Sequence, residues 1–203
     1  MIIVDVETTG IDPEKHSIVS IGALDFLNPE NQFYQECRIW DEAEIMKEAL
    51  KINGFSEEEI KDPKKKTLEE TIKNFIEWTM GIKEKVLAGE NPSFDKDFLK
   101  NSAQRFGIDW MPSYRTIDLH SLCYTHYLRR GLKPPMKDGR TDLNADKIFE
   151  YTGLPKEPKP HNALTGAKME AEALSRLIYG KNLLKEFEEY PIPDYLHYFG
   201  KSI

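Results

Sequence analysis

Apolar residues gather in short runs near the start of the chain and at helical spacings further on. Three runs open the sequence, at residues 2–6, 18–26 and 33–39. Each has the length and the apolar or alternating pattern of a strand, and Pro29, Glu30 and Asn31 supply turn chemistry between the last two. They predict an antiparallel three-strand meander. Residues 42–52 carry Ile45, Met46, Ala49 and Leu50 at helical spacing. Ser56 with Glu59 has capping-box spacing and predicts a short helix. Thr67 with Glu70 repeats that spacing ahead of Ile72, Phe75, Ile76 and Trp78.

A short fourth strand follows at Val86, Leu87 and Ala88, closed by Gly89, Glu90, Asn91 and Pro92. The next helix places Asp95, Phe98, Leu99 and Phe106 on or near one face. Residues 116–119 predict a weak fifth strand that runs into a helix ending near Leu128. Further helices are expected at 144–151 and 164–178, with Gly180 as the stop. One more begins at 183–187. Strands first, then strands alternating with helices, predict an α/β protein with a mixed five-stranded sheet flanked by helices. The 203 residues fit one domain, 1–203. Within it, residues 181–203 are expected as a C-terminal helix and an aromatic, proline-rich tail packed back on the rest.

The chemistry begins inside the first run. Asp5 and Glu7 stand two apart in a strand, so they project from the same face. Two carboxylates this close repel each other unless a cation lies between them. A hard divalent metal is one explanation, since oxygen ligands suit it. A solvated acidic pair at a strand end, with Thr8, Thr9 and Gly10 as its turn, is the other. The spacing alone leaves the two readings level.

Two later segments bear on that choice. One runs Ala88-Gly89-Glu90-Asn91-Pro92-Ser93-Phe94-Asp95. The other runs Lys159-Pro160-His161-Asn162-Ala163-Leu164-Thr165-Gly166. With the opening Asp5-Val6-Glu7-Thr8-Thr9-Gly10, in this order, they resemble the three motifs of the DnaQ-like, DEDDh 3'→5' exonucleases. These include ribonuclease T and the exonuclease domain of the DNA polymerase III epsilon type. The resemblance covers nearly the whole chain and implies a ribonuclease H-like fold. It implies two divalent ions, Mg²⁺ or Mn²⁺, held by Asp5, Glu7 and Asp95. It selects Asp95 over Asp97, which otherwise reads as an equivalent acid of one helix turn. It makes His161 the general base, a role suited to a side chain that titrates near working pH. It assigns the terminal nucleotide and its 3'-hydroxyl to Thr8, Thr9 and Gly10, adds Asn91 to the substrate contacts, and leaves Phe94 as either core or a surface for the penultimate base. His16, His120, His126 and His197 lack such context and read as structural or surface residues.

One position departs from the family. Five residues after the histidine the family carries an aspartate as its last metal ligand, and here that residue is Gly166. Loss of activity, weak activity with water in the vacant place, and substitution by another acid are the three consequences. Glu170 is the geometric candidate for substitution, because residues i and i+4 share a helix face and side chains lean toward the N-terminus. Glu172 points elsewhere. A solvated helix acid remains the plain reading of Glu170.

Composition narrows the class. Charged residues make up 31% of the chain and the net charge is −7. A broad basic surface for coating nucleic acid is therefore excluded, whereas an acidic, metal-filled cleft is not. No apolar run reaches the roughly 20 residues that span a bilayer. The first strand starts at Met1, so no leader is expected, and the chain reads as soluble and cytoplasmic. Cys37 and Cys123 read as reduced core thiols. Residues 129–140 form the most basic stretch, predicted as a loop that either lies in solvent or holds backbone phosphates. Lys64, Lys65 and Lys66 read as solvated surface.

The sequence thus predicts a metal-dependent 3'→5' exonuclease acting on single-stranded DNA or RNA and releasing nucleoside 5'-monophosphates. The rival is a nucleic-acid-binding or polymerase-associated module that lost one metal ligand at Gly166. A polymerase partner or a homodimer is compatible with either, and exposed Tyr195 and Tyr198 suit a dimer as readily as the monomer's own surface.

Overall fold

The computed structural model describes residues 1–200, with side chains through His197. The end of the expected tail, 201–203, and the side chain of Tyr198 lie outside that description. A five-stranded sheet organises the chain. Its strands are β1 (Ile2–Thr8), β2 (Ile18–Asp25), β3 (Asn28–Glu36), β4 (Leu87–Gly89) and β5 (Thr116–Asp118), in the order β3-β2-β1-β4-β5. β1 pairs antiparallel with β2 and parallel with β4, and β4 pairs parallel with β5. This is the mixed five-stranded sheet that the pattern predicts, in the ribonuclease H-like form that the resemblance implies.

Alternation along β1 assigns its side chains to two layers. Ile2, Val4 and Val6 are buried against the side built by α2 (Leu68–Met80) and α3 (Pro92–Arg105). Ile3 faces the other side, built from α4 (Leu119–Arg129), α5 (Ala145–Tyr151) and α6 (Ala163–Tyr179). Asp5 and Glu7 share the parity of Ile3, so they emerge under α6 where the apolar run ends.

Three expectations are corrected. The turn between β2 and β3 is formed by Phe26 and Leu27, with Asp25 opposite Asn28 and the Asp25 carboxylate accepting from the Leu27 amide at 3.1 Å. Pro29, Glu30 and Asn31 lie inside β3, which is possible because β3 is an edge strand and proline lacks only a donor that would face outward. The helix expected at 42–52 is α1 (Lys47–Asn53), since Glu44 bridges to His16 and the Met46 amide donates to the Thr9 carbonyl. Those backbone groups are committed to pairing and cannot enter a helix. Residues 183–187 hold a single 3₁₀ turn, Lys185–Phe187. The Ser56–Glu59 pair does form a reciprocal cap, ahead of a 3₁₀ turn at Glu59–Lys61.

The basic stretch contains a small hairpin, β6 (Met136–Lys137) with β7 (Arg140–Thr141), turned by Asp138 and Gly139 at φ 49° and 75°. Asp-Gly with both residues left-handed is the signature of a two-residue hairpin turn. Arg130 is engaged elsewhere. Its guanidinium stacks 3.7 Å from the Tyr195 ring centroid and donates to the Tyr151 hydroxyl. Tyr195 in turn donates to the Tyr151 carbonyl at 2.6 Å, and Leu196 is fully buried.

α6 is the helix on which the site depends. Gly22 of β2 faces Asp5 across the sheet, and a Cβ there would run into the backbone of Ala163 and Leu164. Its absence lets the N-terminal turn of α6 lie against the sheet beside Asp5. Further along, Arg176 and Glu172 are both fully buried and bonded at 2.8 Å. Arg176 also donates to the carbonyls of Thr152, Phe187 and Tyr190, and Glu172 accepts from the amides of Leu183 and Leu184. The pair ties the C-terminal segment to the helix. Removing one partner of a buried ion pair leaves an unpaired charge, so Arg176→Ala should cost about 3–5 kcal/mol in urea unfolding. A loss below about 1 kcal/mol would show that the network is not holding the segment.

Candidate active site

A cleft opens at the C-terminal end of β1. Asp5, Glu7, Asp95 and Glu170 line it together with Glu90, Glu157 and His161. Glu7, Asp95 and Glu170 are each less than a tenth exposed. Asp95 is placed by the first turn of α3, where its Oδ1 accepts from the Val6 amide at 2.9 Å. Asn91, left-handed at φ 50°, turns the chain from β4 into that helix. Glu170 comes from α6, one turn beyond Gly166, and its Oε2 reaches toward Gly89 at the end of β4. A Cβ on Gly89 would stand only 2.6 Å from that oxygen. Glu172 is spent on Arg176, as described above, and takes no part.

His161 sits on the loop that leads into α6. Its amide donates to the Ile52 carbonyl at 3.0 Å, which docks the loop on α1. The ring is about a third exposed, and Nδ1 lies 3.3 Å from Glu157 Oε2. The side chain lines the cleft. Burial and the neighbouring Lys159 both hold the imidazole below its usual range. Neutral imidazole is the form that can accept a proton.

Burial drives the carboxylates the other way. Desolvation, then the charges of Asp95, Glu7 and Glu157, raise Asp5 well above the usual carboxylate range. Glu7 is pushed up to about 7 by burial and by Glu157, and Asp95 to about 8 chiefly by burial. Glu170 is raised strongly by burial and by Asp5 and Asp95. Glu90 and Glu157 are each raised to about 7, again mainly by burial.

The donor set fits a hard cation. It is almost entirely carboxylate oxygen, and Glu157 Oε1 and Glu170 Oε2 are buried with no hydrogen-bond partner. Buried acceptors of this kind are normally satisfied, and carboxylate oxygens so placed suit a hard cation. Glu7, Glu157 and His161 bring ligand atoms within 4.8 Å of one another.

Glu157 was not foreseen from the sequence. It lies among prolines and lysines at 155–160, without the periodicity that would assign it a face. Among the residues expected to touch substrate, Thr8, Gly10 and Phe94 border an adjoining apolar slot, completed by Ile11, Met46 and Ile52. Thr9 does not line it. That side chain is fully buried, donating to the Glu44 carbonyl and accepting from the Ser17 amide, so it fixes the loop. Asn91 lines the acidic cleft, and Phe94 borders both. His16 is buried beneath Gly10, and Cys37 and Cys123 are buried free thiols. Among the described residues no helix is long and apolar enough to cross a membrane.

Fold and cleft define a ribonuclease H-like domain with a carboxylate-lined site at the end of its first strand. The chain belongs to the RNase T-type exonuclease family, whose profile matches residues 2–174. It is 36% identical over 187 residues to the DNA polymerase III subunit epsilon of Rickettsia typhi, covering 89% of this chain and 74% of that protein. It is 27% identical over 177 residues to a DNA polymerase III PolC-type of Caldanaerobacter subterraneus, covering 87% of this chain and only 11% of the relative. The zinc-bound form of an E. coli exonuclease I–single-stranded DNA complex shares the fold, with a TM-score of 0.70 and 17% identity. That match covers 87% of this chain and 39% of the other.

The raised carboxylates carry a stability consequence. An acid whose folded-state pKa exceeds its unfolded one binds more protons when folded, so stability falls as pH rises through the folded value. With Glu7 near 7 and Asp95 near 8, the protein in EDTA should lose melting temperature steadily from pH 5 to pH 8. Asp5→Asn should flatten that slope by removing the central charge. Thermal denaturation across this range is the check, and a flat wild-type profile would contradict the assignment.

Proposed function

We propose that this chain is a metal-dependent 3'→5' exonuclease that removes nucleoside 5'-monophosphates from single-stranded DNA or RNA. The observation that carries the proposal is the convergence of Asp5, Glu7, Asp95 and Glu170 with His161 in one cleft, with buried carboxylate oxygens left unmet. Asp5, Glu7 and Asp95 hold divalent cations, Mg²⁺ or Mn²⁺, and Glu170 adds negative charge beside Asp5 and Asp95. When bound, two such ions supply charge stabilisation and a water that ionises near neutral pH.

The protein's own groups do the rest. His161 takes a proton from the attacking water, with its ring fixed by Glu157 at Nδ1. The slot beside the cleft seats the terminal base between apolar walls, with Phe94 offering an aromatic face where slot and cleft meet. The Thr8–Gly10 turn places backbone groups where the slot begins. Names of the relatives carry a further expectation, association with a polymerase in the same or a separate chain.

Gly166 favours one other reading, a binding module that retains the cleft without turnover. A 5'-labelled single-stranded DNA and its RNA counterpart, each with Mg²⁺ or Mn²⁺, separate the two. A ladder shortening from the 3' end is expected, abolished in Asp5→Ala and slowed about 10²–10⁴-fold in His161→Ala. No shortening of either substrate with either ion would leave the binding module.

A further inference from the structure

Gly166 leaves a gap in the family's ligand set, and the structure shows what surrounds it. A Cβ at that position would meet Asp5 Oδ2 and Cγ, and then Glu157 Oε1 at 3.5 Å. Glu170 is not among those neighbours, because its carboxylate is turned toward Gly89. A carboxylate oxygen therefore already stands within one side-chain length of the point from which an aspartate would extend. It comes from the opposite wall, the loop before His161.

We propose that Glu157 supplies the carboxylate that Gly166 lacks, and that with Glu7 it completes the outer half of the metal site. Four observations support the assignment. The Glu157 side chain is 8% exposed although it sits on a loop. Its Oε1 has no hydrogen-bond partner. Its carboxylate, that of Glu7 and the His161 ring bring ligand atoms within 4.8 Å of one another. The loop is held at several points, by the Glu157 amide on Asp146, by the His161 amide on Ile52, and by Pro160 against Gly54. A solvated loop glutamate would show none of these.

The carboxylates then divide around Asp5. Glu7 and Glu157 lie on the side of His161. Asp95 and Glu170 lie toward the end of β4. Gly166 is the residue whose small size lets the Asp5 carboxylate sit between the two groups. Glu157 carries two functions in this arrangement, as a cation ligand through Oε1 and as the group that orients His161 through Oε2. The second alone would make it a positioning residue.

This inference rests on the metal-dependent reading above, and Mn²⁺ binding measured by calorimetry tests the two separately. Wild-type protein should take up Mn²⁺; failure to do so would overturn both. Glu157→Gln should weaken Mn²⁺ binding at least ten-fold, while its melting temperature in EDTA at pH 8 stays at or above wild type because a repelling charge has gone. Glu157→Asp, which keeps the carboxylate on the same wall, should bind Mn²⁺ more tightly than Glu157→Gln, whereas Glu157→Ala should bind no better than Glu157→Gln. Wild-type uptake with Glu157→Gln unchanged, or Glu157→Asp no better than Glu157→Gln, would overturn the role of Glu157 and leave the metal site standing. A merely positioning role would leave Mn²⁺ affinity unchanged and alter only the pH dependence of turnover.

Discussion

Mutual repulsion among buried carboxylates is the constraint around which this molecule is built. Asp5 is flanked by Asp95, Glu7 and Glu157, and each raises its affinity for a proton. In water such a cluster would spread apart. Here the chain cannot spread, because Asp5 and Glu7 are held by the pairing of β1 with β2 and Asp95 is fixed by the Val6 amide. The cluster is therefore a standing cost in free energy that either protons or cations relieve. Protons relieve it at low pH, at the expense of ligand charge. Cations relieve it at neutral pH while keeping every oxygen ionised, which is the state a phosphodiester hydrolase needs.

Much of this was readable before the structure. Period-two spacing put Asp5 and Glu7 on one face, and the i to i+4 relation placed Glu170 on the cleft side of α6, although its carboxylate turns toward Gly89 and not over Gly166. Helix caps at Thr67 and Ser56 were visible because capping is local chemistry. The misreadings share a cause. Pro29 looked like a turn because an edge position cannot be seen in one strand's sequence. Residues 42–46 looked helical because their tertiary pairing to Thr9 and His16 outweighs local spacing. The Asp138-Gly139 turn carried a clear signal that the surrounding lysines and prolines obscured.

Glu157 was beyond reach for a different reason. Its function depends on where a loop without periodicity folds back, and that is decided by contacts with α1 and α5. The basic segment shows the converse. Arg130 belongs to a stretch that reads equally as solvated loop or phosphate contact, yet it is stacked on Tyr195 and bonded to Tyr151. Residue type predicts what a side chain is able to do, and packing decides which of those abilities is used.

Helix α6 shows that decision within one element. Glu170 and Glu172 are two residues apart, and both are buried. Their positions on the helix send them to opposite neighbours. Glu172 meets Arg176 and two backbone amides, so its charge is satisfied and fastens the C-terminal segment. Glu170 meets Asp5 and Asp95, so its charge is opposed and one oxygen stays unmet. An anchor at Arg176, near the C-terminal end of the helix, helps to hold an unfavourable charge in place at its middle. Gly166 belongs to the same economy. A glycine inside a helix costs ~1 kcal/mol against alanine, and without the Arg176 anchor that cost would loosen the turn facing the cleft. With it, the helix can forgo a side chain at the point where Asp5 needs the space and a carboxylate from another wall is already present.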